Sequence, residues 1–321
     1  MNMTFTNYTE FGIHNSAVRY TWCLYGIFII LSSLIGDSII LVASIKYNAF
    51  KLHKTIVAIM QHMATCDIIT SVNLTLFIAS LLAEQNILGD FLCYARAYIT
   101  YFTFPASFYF TAALTTSKAI MVKFPMQARH WSKRRAHMMC GGIWVWSLAT
   151  PLLMFIVDKD DVKFDYREYV CYYVFSTDTW KFLSPVLALF TSVVPNVIVI
   201  TTTAMLIVEA KKVAKRGRDS LRWQGLTTVI LTAVVYCLSV VPPSLYYIVG
   251  NFVKDDKNGL FHVYFYRFAV AVVCINVMSN FYIYSLTVKS FRSFLLIRAS
   301  LIKQAITGRG KIVNYIYKYV P

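Results

Sequence analysis

Two aspartates, Asp37 and Asp67, stand inside long apolar runs, where an ionisable side chain is costly unless it faces a partner or water. As oxygen donors they could hold a proton, a hydrogen-bond donor or a hard cation. The seven cysteines show no CxxC pair and no Cys/His cluster at metal-ligand spacing. Cys23, Cys66, Cys140, Cys237 and Cys274 lie in apolar runs and read as core thiols. Cys93 opens a run and Cys171 lies in the long connection after the next. No Ser/His/Asp set, paired carboxylate or zinc spacing argues for an enzyme.

The elements that carry these residues follow from composition. Of the 321 residues 58% are hydrophobic and 14% charged, a balance that cannot cover a water-soluble globule. The apolar residues gather into seven runs long enough to span a bilayer as helices. They are Trp22–Ile45, Thr55–Leu82, Ala95–Val122, Met139–Val157, Phe182–Val208, Gly225–Val249 and Val263–Thr287. The runs are continuous rather than alternating, which excludes membrane strands. The expected architecture is an all-α membrane protein: a tail over 1–20, a seven-helix domain over 21–288 and a segment over 289–321. No signal peptide is recognised before the first run, so the first helix is read as its own insertion signal.

Orientation follows from the basic residues. More than two thirds of the 31 Lys and Arg fall on the side shared by the first, third and fifth connections and the C-terminal segment. The positive-inside rule puts that side in the cytoplasm and the N-terminus outside. The net charge of +16 is thereby assigned to orientation and anionic lipid rather than to nucleic acid. Cys93 and Cys171 then share the oxidising face, and a disulfide between them is the economical pairing. Asn2 and Asn7 begin glycosylation sequons in the outer tail, whereas the sequon at Asn73 falls inside a span.

Ordered landmarks along the spans resemble the rhodopsin-like (class A) G-protein-coupled receptors. Gly36-Asp37 stands where that family has Gly-Asn, and Met63-Ala64-Thr65-Cys66-Asp67 is similar to its LAxxD. Ser117-Lys118-Ala119 occupies the place of Asp-Arg-Tyr, with Pro125 seven residues after Lys118. Trp144 and Pro195 fit the fourth and fifth spans. Tyr236, Ser239, Val240 and Pro242 stand for FxxCWxP, and Asn280-Phe281-Tyr282-Ile283-Tyr284 for NPxxY. Phe291 begins an amphipathic stretch like the family's short membrane-surface helix.

The resemblance implies roles. Asp67, Ser107, Asn276 and Asn280 match the pocket that holds a sodium ion in the inactive state; no other cofactor is implied. Asp37 would be a second acid beside that pocket, where the family has a neutral amide. Lys118 takes the place of the arginine that reaches the G protein, without its planar fork of donors. Ser117 and Arg222 remove the acidic partners that would restrain it, so raised basal activity is expected. Met126 would touch the G protein, and Tyr284 would be the switch tyrosine of the seventh span.

Thr100 replaces the aspartate of monoamine receptors, which counts against a biogenic amine, and Cys274 replaces the retinal lysine of opsins, which excludes covalent retinal. Arg96, Tyr98, Tyr101, Phe104, Tyr246, Tyr247, Arg267 and Phe268 form the expected outer wall, suited to an acidic or polar aromatic ligand. The expected function is a plasma-membrane receptor that binds an extracellular ligand and activates a heterotrimeric G protein by outward movement of the sixth span. The alternatives are a non-signalling decoy receptor and a seven-helix ion transporter or channel.

Overall fold

The structure is a computed structural model that describes residues 16–50, 52–87, 89–157, 162–165, 169–173, 183, 186–215, 220–252 and 260–306. Seven long helices realise the seven apolar runs: α1 (Ser16–Ile45), α2 (Lys54–Ala83), α3 (Gly89–Lys123), α5 (Lys133–Val157), α6 (Val194–Lys215), α7 (Ser220–Phe252) and α8 (Leu260–Thr287). Two further helices are α4 (Pro125–Arg129), which starts on Pro125, and the amphipathic α9 (Lys289–Ile306). Most spans run a turn or two beyond their apolar runs, because polar residues at a membrane surface can continue a helix. A π turn at Leu189–Val193 leads into α6.

Packing explains the composition of each span. Around the bundle α1 packs on α2, α6 on α7, α7 on α8, and α8 returns to α1, while α3 touches α2, α5, α6 and α7. Its central place lets α3 bury a row of hydroxyls at four-residue spacing, Thr103, Ser107, Thr111 and Thr115. Such a helix need not be apolar all round, since it meets protein rather than lipid. Among the described residues, five helical segments, in α1, α2, α6, α7 and α8, are long and apolar enough by themselves to cross a membrane. The α1–α8 contact is close: a Cβ on Gly36 would stand 2.6 Å from the Phe281 Cβ.

Between the fourth and fifth spans lies a β-hairpin that hydropathy does not announce. Strands β1 (Val162–Asp165) and β2 (Val170–Tyr173) pair antiparallel, with Phe164 opposite Cys171. The signal was available in the alternation Val162, Lys163, Phe164, Asp165. The end of the bundle that carries this hairpin is called the hairpin end; the opposite end carries α4 and α9.

Candidate functional site

The Cys93–Cys171 disulfide joins the first turns of α3 to β2, with the Cα atoms 5.4 Å apart. Around it Ala97, Met154, Val162 and Leu187 form a buried cluster, against which Tyr101 packs. A cavity of about 280 Å³ beside the hairpin is lined by Asn86, Asp90, Cys93, Tyr94, Val162 and Phe164. Among the described residues, none of those expected to bind ligand lines it.

Those residues lie deeper and divide into two groups. Arg96 is buried, its guanidinium 5.1 Å from the Phe77 ring centroid on α2. One turn on, Thr100 donates to the Arg96 carbonyl and accepts from Asn73 Nδ2 at 2.8 Å. The Asn73 sequon is therefore committed to a helix contact. Phe104 belongs to the second group, packing on Phe108, Tyr236 and Val240 of the α3–α6–α7 core. Arg267 is buried on α8, but Phe268 is 53% exposed and Tyr98 bonds outward to the Leu148 carbonyl on α5. These last two leave the expected wall, because successive helical residues point about 100° apart and only one face can turn inward. The Tyr246 and Tyr247 side chains lie outside the described residues.

Below this wall the four expected sodium positions converge. Asn280 Nδ2 donates to Asp67 Oδ2 at 2.7 Å, and Asn276 Nδ2 lies 3.5 Å from Ser107 Oγ. Among the described residues Asp67 Oδ1 is buried without a hydrogen-bond partner. The remaining oxygens, Asp67 Oδ1 and Ser107 Oγ, are the hard donors a small cation requires, so the residues fit such an ion. Asp37, one helix away, accepts from Ser33 Oγ at 2.6 Å through Oδ2, and its buried Oδ1 has no partner among the described residues. Tyr284 is 1% exposed, its ring edge-on to Phe50, and its hydroxyl has no partner among the described residues.

Toward the opposite end, Lys118 is buried, and among the described residues no ion pair reaches it. Met126 on α4 is 73% exposed. Arg222 belongs to α7, but its side chain lies outside the described residues, as do Asn2 and Asn7.

Two arrangements escaped the sequence reading. Trp144 Nε1 donates to His62 Nδ1 at 3.1 Å, and His62 Nε2 lies 2.9 Å from His137 Nδ1, joining α2 to α5 while the His62 ring stacks on Phe110. A lone histidine inside an apolar run was the signal. Hydroxyl pairs also link the helices: Thr202 Oγ1 donates to Thr115 Oγ1 at 3.1 Å, and Thr228 Oγ1 to Thr287 Oγ1 at 2.8 Å. Threonine is so common in membrane helices that nothing in the sequence marked these four.

Comparison with known proteins agrees with this arrangement. The chain is 23% identical to human (Homo sapiens) cysteinyl leukotriene receptor 1 over 202 residues, 61% of this chain and 58% of that protein. It is 26% identical to the pig (Sus scrofa) cysteinyl leukotriene receptor 1 over 161 residues, 48% of this chain and 46% of that protein. The chain thus spans about half the length of these relatives. Residues 37–284, from the core acid Asp37 to the buried Tyr284, match the family described as 7 transmembrane receptor (rhodopsin family). The chain belongs to that family and is a multi-pass membrane protein of the receptor kind.

Proposed function

We propose that this chain is a plasma-membrane receptor whose hairpin end faces outside and whose α4–α9 end faces the cytoplasm. It binds an extracellular ligand among α3, α6, α7, α8 and the hairpin, and it activates a heterotrimeric G protein when α7 swings outward about Pro242. The observation that carries this reading is the polar joint of Asp67, Asn280, Asn276 and Ser107, which ties α2, α3 and α8 together between the aromatic wall and Lys118. A joint of hydrogen bonds at that depth has alternative partners available, so a ligand that favours one arrangement can shift the population by its difference in affinity.

The buried Arg96 and Arg267, with Tyr101 and Phe104, suit a ligand that combines an anionic group with an apolar or aromatic body. The relatives' names make cysteinyl leukotrienes the first compounds to try. Asp67, Ser107, Asn276 and Asn280 would hold a sodium ion, whose charge steadies the resting arrangement; Asp37 adds a second negative charge nearby.

The test is nucleotide exchange on a panel of purified G proteins by the full chain in lipid nanodiscs, with and without such ligands, in sodium and in choline salts. Ligand-dependent exchange that sodium suppresses is expected, and Asp67→Asn should abolish the sodium effect while Asp37→Asn keeps it. Saturable ligand binding with no exchange on any G protein would make the chain a decoy. A sodium effect that survives Asp67→Asn would remove the ion from this site.

A further inference from the structure

Resting receptors of this design must hold the α4–α9 end of α7 against the bundle, and among the described residues no ion pair does so here. Ser117 beside Lys118 is no acid, and position 222 carries an arginine. Hydroxyls stand in that region instead. Thr228 is 1% exposed, and its Oγ1 donates to Thr287 Oγ1, the last residue of α8. Thr287 in turn donates to the Ile283 carbonyl at 2.6 Å, so its own proton is placed and its Oγ1 is free to accept from Thr228.

The placement gives this contact leverage. At the far side of Pro242 and Pro243, α7 is tied to α6 by Ser244, which pairs with Ser192 on the π turn and accepts from Asn196 Nδ2 at 3.2 Å. Fourteen residues separate Pro242 from Thr228, an arm of about 21 Å at 1.5 Å per residue. A few degrees of rotation about the prolines therefore moves Thr228 out of hydrogen-bonding range of Thr287. Within the described residues, Thr228–Thr287 is the hydrogen bond between side chains of α7 and α8, and it sits near the moving end of that arm.

We propose that Thr228 and Thr287 form the resting clamp of this receptor, a neutral hydroxyl pair in the role that an ion pair would otherwise fill. The inference rests on the signalling reading above and predicts an easily opened resting state. One neutral hydrogen bond is worth little net, so its loss should raise the open-to-closed ratio about fivefold.

The experiment uses the full chain in nanodiscs with spin labels on Lys123→Cys of α3 and Gln224→Cys of α7, and the unsubstituted chain as the control for labelling of native cysteines. Thr228→Val and Thr287→Val should each add a longer-distance population, and the double variant should add no more than either alone, because both remove one bond. Thr287→Ser, which keeps the hydroxyl, should stay at the parent's distance. Ligand-free nucleotide exchange is read in parallel. Unmoved distances in both valine variants overturn the clamp whatever the exchange assay reads, as does a Thr287→Ser variant that opens like Thr287→Val. Longer distances without exchange on any G protein support the clamp and overturn the signalling reading.

Discussion

The two ends of the bundle are held by different physics. At the hairpin end a disulfide ties α3 to β2, Arg19 of α1 pairs with Glu84 at 2.6 Å, and Arg96 of α3 lies over Phe77 of α2. Glu84 even adopts a left-handed backbone, φ 56°, to close α2, a conformation that costs a non-glycine residue about 1 kcal/mol. Toward the opposite end α6 meets α3 through Thr202–Thr115 and α7 meets α8 through Thr228–Thr287, and Lys118 of α3 is buried. A disulfide does not rearrange within a receptor's working cycle, whereas hydroxyl hydrogen bonds exchange readily. The molecule is thus built with one stapled end and one adjustable end.

Removing the staple should give the largest effect. The disulfide closes a loop with a sequence separation of 78, for which chain entropy gives about 4.5 kcal/mol. Cys93→Ala/Cys171→Ala should therefore lower the Tm more than Gly36→Ala or any change at Tyr169. The native thiols report where the loosening occurs: Cys23 is buried with Tyr169 and Phe77 at the hairpin end, and Cys140 in the large core cluster that includes Phe50 and Phe291. Alkylation of Cys23 should accelerate well before that of Cys140. Equal acceleration of both would mean that the two ends form one cooperative unit, held alike.

A change in the middle should loosen both ends alike. Gly36→Ala puts a methyl 2.6 Å from Phe281 Cβ and 2.8 Å from its Cγ, so α1 and α8 must move apart. Overpacking of this kind costs about 2 kcal/mol. Phe281→Leu retains the Cβ and Cγ and should not rescue it. Thermal unfolding followed by alkylation of Cys23 and Cys140 should show parallel shifts; an unchanged Tm would show that the α1–α8 contact has room for the methyl.

This contrast was only half legible in the sequence. Hydropathy revealed the seven spans because each crosses the bilayer as a run of mostly apolar residues, and Asp67 drew attention because a buried acid demands partners, which proved to include Asn280. The Cys93–Cys171 pairing was expected from the face that the basic residues assign to the outside, and the disulfide is present. The adjustable end stayed hidden for a physical reason: Thr115, Thr202, Thr228 and Thr287 can each satisfy their hydroxyls within their own helices, so their types and spacing do not require a cross-helix partner. Arg19–Glu84 was equally silent, since a charge near a span end needs no partner in water.

The smallest effect tests whether the hairpin end is a tuned electrostatic unit or only a covalent one. Tyr169, 3% exposed and with φ 53°, packs on Phe164 beside the Arg19–Glu84 pair. Burial holds its phenol above the usual 10; the Glu84 carboxylate adds to that rise and the Arg19 guanidinium opposes it. Because the folded state keeps this proton longer than the unfolded chain does, Tyr169 contributes stability that is whole below pH 10 and declines as the pH climbs through the folded value. The Tm of the parent should therefore fall on the alkaline side of pH 10, and Tyr169→Phe should make that limb shallower. Glu84→Gln should make it shallower too, by removing the repulsion, whereas Arg19→Met should make it steeper. At neutral pH Glu84→Gln should cost less than about 1 kcal/mol, since the Glu84 side chain is 50% exposed and water screens the pair. Calorimetric Tm values from about pH 8 to 11 for the four proteins, a range that brackets the ordinary tyrosine value, decide the matter. Superimposable alkaline limbs for the parent and Tyr169→Phe would leave the disulfide as the principal tie of the hairpin end.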